Sequence, residues 1–182
     1  KILYELDLDG RISAAQLGRK THLPKETVNY RIKRLLRDEI IVYFNTLINA
    51  SNLGYHYYRI YVAFQQHTPD VENRVLSFLF DADSCTNIRV IEGGHHLVFM
   101  SLHKSVRDLN TFLSRFGNLI GHNLMRKDVC QVTRSYKFNQ RILYEGDSLR
   151  VRMDHDKVIE ADLDSQDLDI LHFLGMKGRA LY

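Results

Sequence analysis

SAAQLGRKTHLPKETVNYRIKRLLRD, residues 13–38, reads as two short helices with a tight break between them. Ala14, Leu17 and Gly18 mark the inner face of the first, and Thr21, His22 and Leu23 form the break. Pro24 suits the first turn of the second helix, because its fixed φ is helical and the amide it lacks would have no partner there. Val28, Ile32, Leu35 and Leu36 then recur at i, i+4, i+7 and i+8, a single apolar stripe. The opposite face carries Lys25, Thr27, Asn29, Tyr30, Arg31, Lys33 and Arg34. Short polar groups near a helix start reach base edges while cations farther along hold phosphates, which is the layout of a DNA recognition helix. A solvated helix in a bundle carries similar charge. The short helix–break–helix spacing favours the first reading.

Upstream, Ile2, Leu3 and Leu6 mark another helix, with Gly10 as its stop and Ser13 as the cap of the next. Downstream, Glu39-Ile40-Ile41-Val42-Tyr43-Phe44 is β-prone and predicts the strand of a wing. Together these give a winged helix-turn-helix domain over residues 1–48. Asn29, Thr27 and Lys25 are the candidates for base edges, and Arg19, Arg31, Lys33 and Arg34 for phosphates. Tyr30 packs on the DNA backbone or flanks the core.

The run Ile2-Leu3…Leu6…Asp9-Gly10-Arg11-Ile12-Ser13…Leu17…Leu23-Pro24…Thr27-Val28…Arg31-Ile32…Leu35…Ile40-Ile41…Leu53-Gly54 resembles the Lrp/AsnC (leucine-responsive, feast/famine) family. The resemblance implies a DNA-binding transcription factor with an N-terminal winged helix-turn-helix and a ligand-sensing αβ domain. Pro24 stands where that family usually has a capping Ser.

The 182 residues are 45% hydrophobic and 26% charged, enough for one or two domains with real cores. No apolar run approaches the roughly 18 residues of a membrane span, and no signal peptide is visible, so a cytoplasmic protein is expected. The chain starts at Lys1 rather than Met, so a trimmed N-terminus is expected. Cys85 and Cys130 lack metal-type spacing and read as reduced core thiols. The net charge of +3 is concentrated in residues 1–50, whereas Asp154–Asp169 is acidic. A basic head fits a polyanionic partner, double-stranded DNA.

Residues 45–56 read as a connector, and the hydrophobic period then changes. Tyr58, Ile60, Val62 and Phe64 alternate with Arg59, Tyr61 and Ala63, a half-buried strand. A helix begins at Thr68-Pro69-Asp70, and Asn87–Ile91 is a second strand. Glu92-Gly93-Gly94-His95 is a hairpin turn, Leu97–Leu102 a third strand, and Ser105 caps a second helix. Val129–Tyr136 is a fourth strand. The order is βαββαβ, so the fold class is α+β, with a ferredoxin-like domain over 57–143. Two helices on one sheet face leave the other open, bearing Arg59, Tyr61, Arg89 and Ile91, and a second copy would cover it.

This arrangement resembles the effector domain of the same family, which implies a homodimer or higher homo-oligomer and an amino-acid-like effector near Gly93, Gly94, His95 and His96. The family usually has Gly-x-Tyr/His-Asp entering the third strand. Here His96 fills the acidic position, so recognition of a ligand amino group is not implied. Residues 144–162 read as a linker. Beyond it, Ile170-Leu171-x-x-Leu174-x-x-x-Gly178-Arg179 repeats Ile2-Leu3-x-x-Leu6-x-x-x-Gly10-Arg11 at a constant offset, predicting the truncated start of a second winged unit over 163–182.

Other chemistry finds little support. By alternation, His95 and His103 fall on one strand face and His96 on the other, with no Cys, Asp or Glu to complete a metal set. There is no nucleophile elbow, P-loop or Rossmann glycine pattern, and no metal or cofactor is expected. Some relatives resemble sirohaem decarboxylases, for which His95, His96, Arg89 and Arg126 match by type. A decarboxylase has no use for a basic recognition helix, so a non-enzymatic regulator is the reading adopted. An effector-sensing module without DNA binding would tolerate loss of Arg31 and Arg34.

Overall fold

The computed structural model describes residues 1–44, 46–138, 143 and 150–176. The chain divides into two compact units. One comprises Lys1–Ile48, Tyr136–Arg152 and Asp162–Tyr182, the other Asn49–Ser135 and Met153–Ala161.

In the first unit, α1 (Ile2–Leu8), α2 (Ala14–Thr21) and α3 (Lys25–Arg37) enclose Ile2, Leu6, Ile12, Leu17, Val28 and Ile32. Ser13 caps α2 in a capping box with Gln16, each side chain answering the other residue's backbone N–H. The Lys20 ammonium donates to Glu5 at 2.6 Å, linking α2 to α1. α1 ends at Leu8 with Asp9 as its C-cap, directly before Gly10. Pro24 is the N-cap rather than a first-turn residue, so α3 begins at Lys25. The expected wing strand is absent among the described residues. Ile41 is held by a bond from its N–H to Leu35 O, and Val42, Tyr43 and Phe44 are not in strand conformation.

The second unit has the expected βαββαβ order: β1 (His56–Phe64), α4 (Pro69–Phe80), β2 (Cys85–Val90), β3 (Leu97–His103), α5 (Val106–Ile120) and β4 (Leu124–Gln131). The strands form an antiparallel sheet in the order β2-β3-β1-β4. Its inner face carries Tyr58, Ile60, Val62, Phe64, Leu97 and Phe99. These pack on Val75 and Leu79 of α4 and on Leu109, Phe112, Phe116 and Ile120 of α5. The outer face carries Arg59, Tyr61, Val98, Met100 and Asp128.

The fourth strand lies earlier than its apolar residues suggest. Met125-Arg126-Lys127-Asp128 reads as polar because β4 is an edge strand, open to solvent along one side. Residues beyond it belong to another element. β5 (Arg134–Phe138) pairs with β6 (Arg150–Asp154) in a separate two-stranded sheet. β6 lies within the stretch read as linker.

Residues 155–161 strap the second unit. The N–H groups of Ile159 and Ala161 donate to the carbonyls of Ser51 and Asn52, and Lys104 pairs with Glu160 at 2.6 Å. His155 is 2% exposed. Its Nδ1 lies 3.2 Å from both Asn49 Oδ1 and Ser51 Oγ, its Nε2 2.8 Å from Ser135 Oγ, and its ring 4.1 Å from that of Tyr57. Asn49 Oδ1 can only accept, so the neutral ring carries its proton on Nδ1 and accepts from the Ser135 hydroxyl. Burial pushes the His155 and His103 imidazoles below their usual range. The unfolded chain therefore binds protons that the fold refuses as pH falls below about 6.5, and stability drops there. Melting temperature should fall between pH 7.5 and 5.5, and His155→Asn should flatten that fall. A melting temperature constant across the window contradicts it.

Candidate nucleic-acid interface

The elbow between α2 and α3 sets the interface. His22 takes the left-handed conformation at φ 58°, and the Leu23 N–H donates to Gly18 O at 2.9 Å. A Cβ on Gly18 would lie 2.6 Å from the Leu23 carbonyl oxygen, so only glycine lets the two helices meet this closely. Val28 and Ile32 then anchor α3 in the core and turn its remaining face outward.

The eight residues singled out in sequence fall into three groups. Arg19 and Lys25 meet at the elbow beside His22. Thr27, Tyr30, Arg31 and Arg34 follow one flank of α3 and line an open cleft of about 790 Å³ with Lys1 and Leu3 of the α1 end. Asn29 and Lys33, four residues apart, stand exposed on the other flank. Thr27 is half-buried and the other seven are exposed. Tyr30, 63% exposed, presents its ring to solvent rather than to the core. Two further residues on this surface were not among the site candidates. His22 sits in the elbow, and Glu26 is an exposed carboxylate among cations.

The cations differ in availability. Arg34 shares Asp38 with Arg37, at 3.8 and 2.9 Å respectively. Among the described residues, Arg19, Lys25, Arg31 and Lys33 have no carboxylate partner. Pro24 offers no side-chain acceptor at the start of α3. An exposed helix with unneutralised cations and an amide side chain can grip phosphates and reach base edges.

The second unit holds the other candidate residues. Antiparallel β2 and β3 are joined by the expected hairpin turn over residues 92–95, closed by the bond from Ile91 N–H to His96 O. Gly93 sits at φ 124°, a conformation that favours glycine, with nothing near the site of a side chain. The two histidines part company. His95 Nε2 donates to Asp128 at 2.8 Å on the outer sheet face, and its ring lies 5.5 Å from Tyr61. His96 turns inward. Its Nδ1 accepts the Phe64 N–H at 2.9 Å and its ring stacks on His67 at 4.5 Å.

His103 lies on the inner face against Ser101 and Phe112, so the expectation that it shares a face with His95 is overturned. Alternation does not extend into the loop, where the backbone is not a strand. A carboxylate does stand beside His95, because Asp128 comes from β4, 33 residues on. Arg126 at 2.8 Å, and then His95, hold the Asp128 carboxyl below its usual range. Among the described residues, no group of three or more ligating side chains could hold a metal ion.

The chain is similar to known proteins. Residues 1–42 match a family profile described as winged helix-turn-helix DNA-binding. An HTH-type transcriptional regulator of Pyrococcus furiosus is 30% identical over 122 residues, covering 66% of this chain and 81% of the relative. An AsnC family transcriptional regulator from Agrobacterium tumefaciens superposes with a TM-score of 0.64 at 14% identity, over 76% of this chain and 90% of that one. A transcriptional regulator from Neisseria meningitidis, solved with L-methionine, gives a TM-score of 0.63 at 17% identity, over 72% and 84%. At these identities the two structures report a common fold. Among the described residues, no helix is long and apolar enough to cross a membrane.

Proposed function

The chain belongs to the Lrp/AsnC family of helix-turn-helix transcriptional regulators, and on that premise we propose how it engages DNA. It is a DNA-binding regulator. α3 enters the major groove. Asn29, Thr27 and Lys25 address base edges, Arg19, Arg31, Lys33 and Arg34 hold phosphates, and Tyr30 lies on the sugar–phosphate backbone. The observation that carries this is the exposure of an unneutralised cationic face on a helix whose other face anchors in a core through Val28 and Ile32.

Two chains pair through their open sheet faces, which sets two winged units at a fixed separation and selects half-sites one or more helical turns apart. A small effector biases that arrangement, and it regulates only through a difference in affinity between the arrangements. The L-methionine in the Neisseria meningitidis structure supports a small-molecule effector for this fold. The protein carries no catalytic role on this reading and works in the cytoplasm.

The tail is the first helix of a second winged unit. α6 (Ser165–Met176) opens with the Asp167 N–H donating to Asp164 Oδ1 at 2.8 Å. Ile170, 57% exposed, occupies the repeat position of Ile2, which is buried in α1. The repeat positions Gly178 and Arg179 lie outside the described residues.

Base reading and phosphate gripping separate in a binding assay. Asn29→Ala should blur preference between related duplexes, at about 1–3 kcal/mol for the preferred sequence, while leaving affinity for random duplex unchanged. Equal loss on every duplex would show that Asn29 reads no base.

A further inference from the structure

Of the charged residues of α3, only Glu26 is acidic. It is the second residue of the helix and is exposed. At 3.6 residues per turn, it stands roughly 140° round the helix from the midline of the buried pair Val28 and Ile32. Glu26, Asn29 and Lys33 follow at i, i+3 and i+7. A carboxylate, an amide and an ammonium thus form one outward row, in that order from the start of the helix.

No cation neutralises that carboxylate. Among the described residues, Glu26 forms no ion pair and no side-chain hydrogen bond. One turn farther along α3 stand Asn29 and Tyr30, neither a cation, and Lys33 lies about 10 Å along the axis. Lys25 precedes it in the chain but lines the elbow with Arg19 and His22. In water the carboxylate is well placed, since the positive end of the helix dipole favours it. The balance changes when α3 enters a groove. Phosphates then repel the charge, and a carboxylate that leaves water without meeting a donor carries the full penalty of an unpaired group.

The major groove offers few donors. A carboxylate only accepts hydrogen bonds. Guanine N7 and O6 and thymine O4 are acceptors and repel it, and adenine N6 stands beside the acceptor N7. Cytosine N4 is a donor with no acceptor next to it on that edge.

We propose that Glu26 is a specificity-determining residue, accepting a hydrogen bond from cytosine N4 at one position of each half-site and rejecting the other bases there. The proposal rests on the entry of α3 into the major groove set out above. It adds to Lys25, Thr27 and Asn29 a reader that discriminates by repulsion as well as by attraction.

The test is binding of the full native chain, Glu26→Gln and Glu26→Asp to an array of duplexes covering every short sequence. The native chain should require a C·G pair at one position of each half-site, and changing that pair should weaken binding about five- to hundredfold. Gln has the same length but presents a donor beside an acceptor, which matches adenine N6 and N7. Glu26→Gln should therefore move the preference from cytosine to adenine at that position alone. Asp is still acceptor-only, so Glu26→Asp should gain no preference for adenine. A uniform change in affinity for Glu26→Gln, in either direction with preferences unmoved, overturns the proposal and leaves Glu26 a structural or repulsive charge only. So does an adenine preference in Glu26→Asp, or a shift between bases other than cytosine and adenine. A native motif indifferent to Glu26 removes this assignment and leaves duplex reading by α3 standing. A native chain with no sequence preference removes both.

Discussion

A chain carrying Arg31→Ala and Lys33→Ala binds duplex DNA about a hundredfold more weakly per bound winged unit near 0.1 M salt, because each lost phosphate contact removes about 0.9 of a power of salt concentration. The plot of log affinity against log salt flattens by about 2 per unit, and a dimer engaging two half-sites doubles both effects in logarithmic terms. All sequences suffer alike, since phosphates carry no sequence information. Arg34→Ala should do less, because Asp38 already shares that guanidinium. The thermal transition of the second unit is the control and should not move. Fluorescence anisotropy over a salt series reads both affinity and slope. Unchanged slope in the double variant would place the phosphates elsewhere.

The second large effect comes from a residue with no side chain. Gly18→Ala puts a methyl group 2.6 Å from the Leu23 carbonyl oxygen, where only a backbone shift can make room. The shift breaks the elbow bond from Leu23 N–H to Gly18 O and tilts α3, with its fully buried Val28, away from the fully buried Leu17 of α2. The expected cost is about 2–3 kcal/mol, at the upper end of overpacking effects, and falls on the first unit alone. DNA binding is lost with it. His22→Gly is the matching control. It occupies a left-handed position that glycine accepts, and stability should stay within about 1 kcal/mol. Hydrogen exchange resolves the two units. Protection lost in 1–44 and kept in 56–131 is the expected pattern for Gly18→Ala, and uniform protection throughout would contradict the role given to the elbow.

What could be read in the sequence was local. Val28, Ile32, Leu35 and Leu36 lie within three turns of one helix, so their spacing reports their face directly. Ser13, Thr68 and Ser105 act as caps through contacts three residues away. The alternation of Tyr58 to Phe64 survives because β1 is central and buried on one side. Features that depend on register between distant strands were hidden. The pairing of His95 with Asp128 and the fate of His96 both follow from how β1, β3 and β4 align. The strand expected at residues 40–44 is a separate case. Ile40 to Phe44 have strand propensity, but propensity alone is a weak guide, and no strand is assigned to them among the described residues. His155 looked like part of an acidic linker because its partners, Asn49, Ser51 and Ser135, lie 106, 104 and 20 residues away.

The central claim is that α3 reads a duplex in the major groove and does so as one of a pair. Selection of bound duplexes from a random library, at low and then at physiological salt, tests it most directly. The expected result is a roughly palindromic motif with half-sites separated by a whole number of helical turns, lost on Asn29→Ala. A pool that stays random at every salt concentration, or a motif unchanged by altering α3, contradicts it.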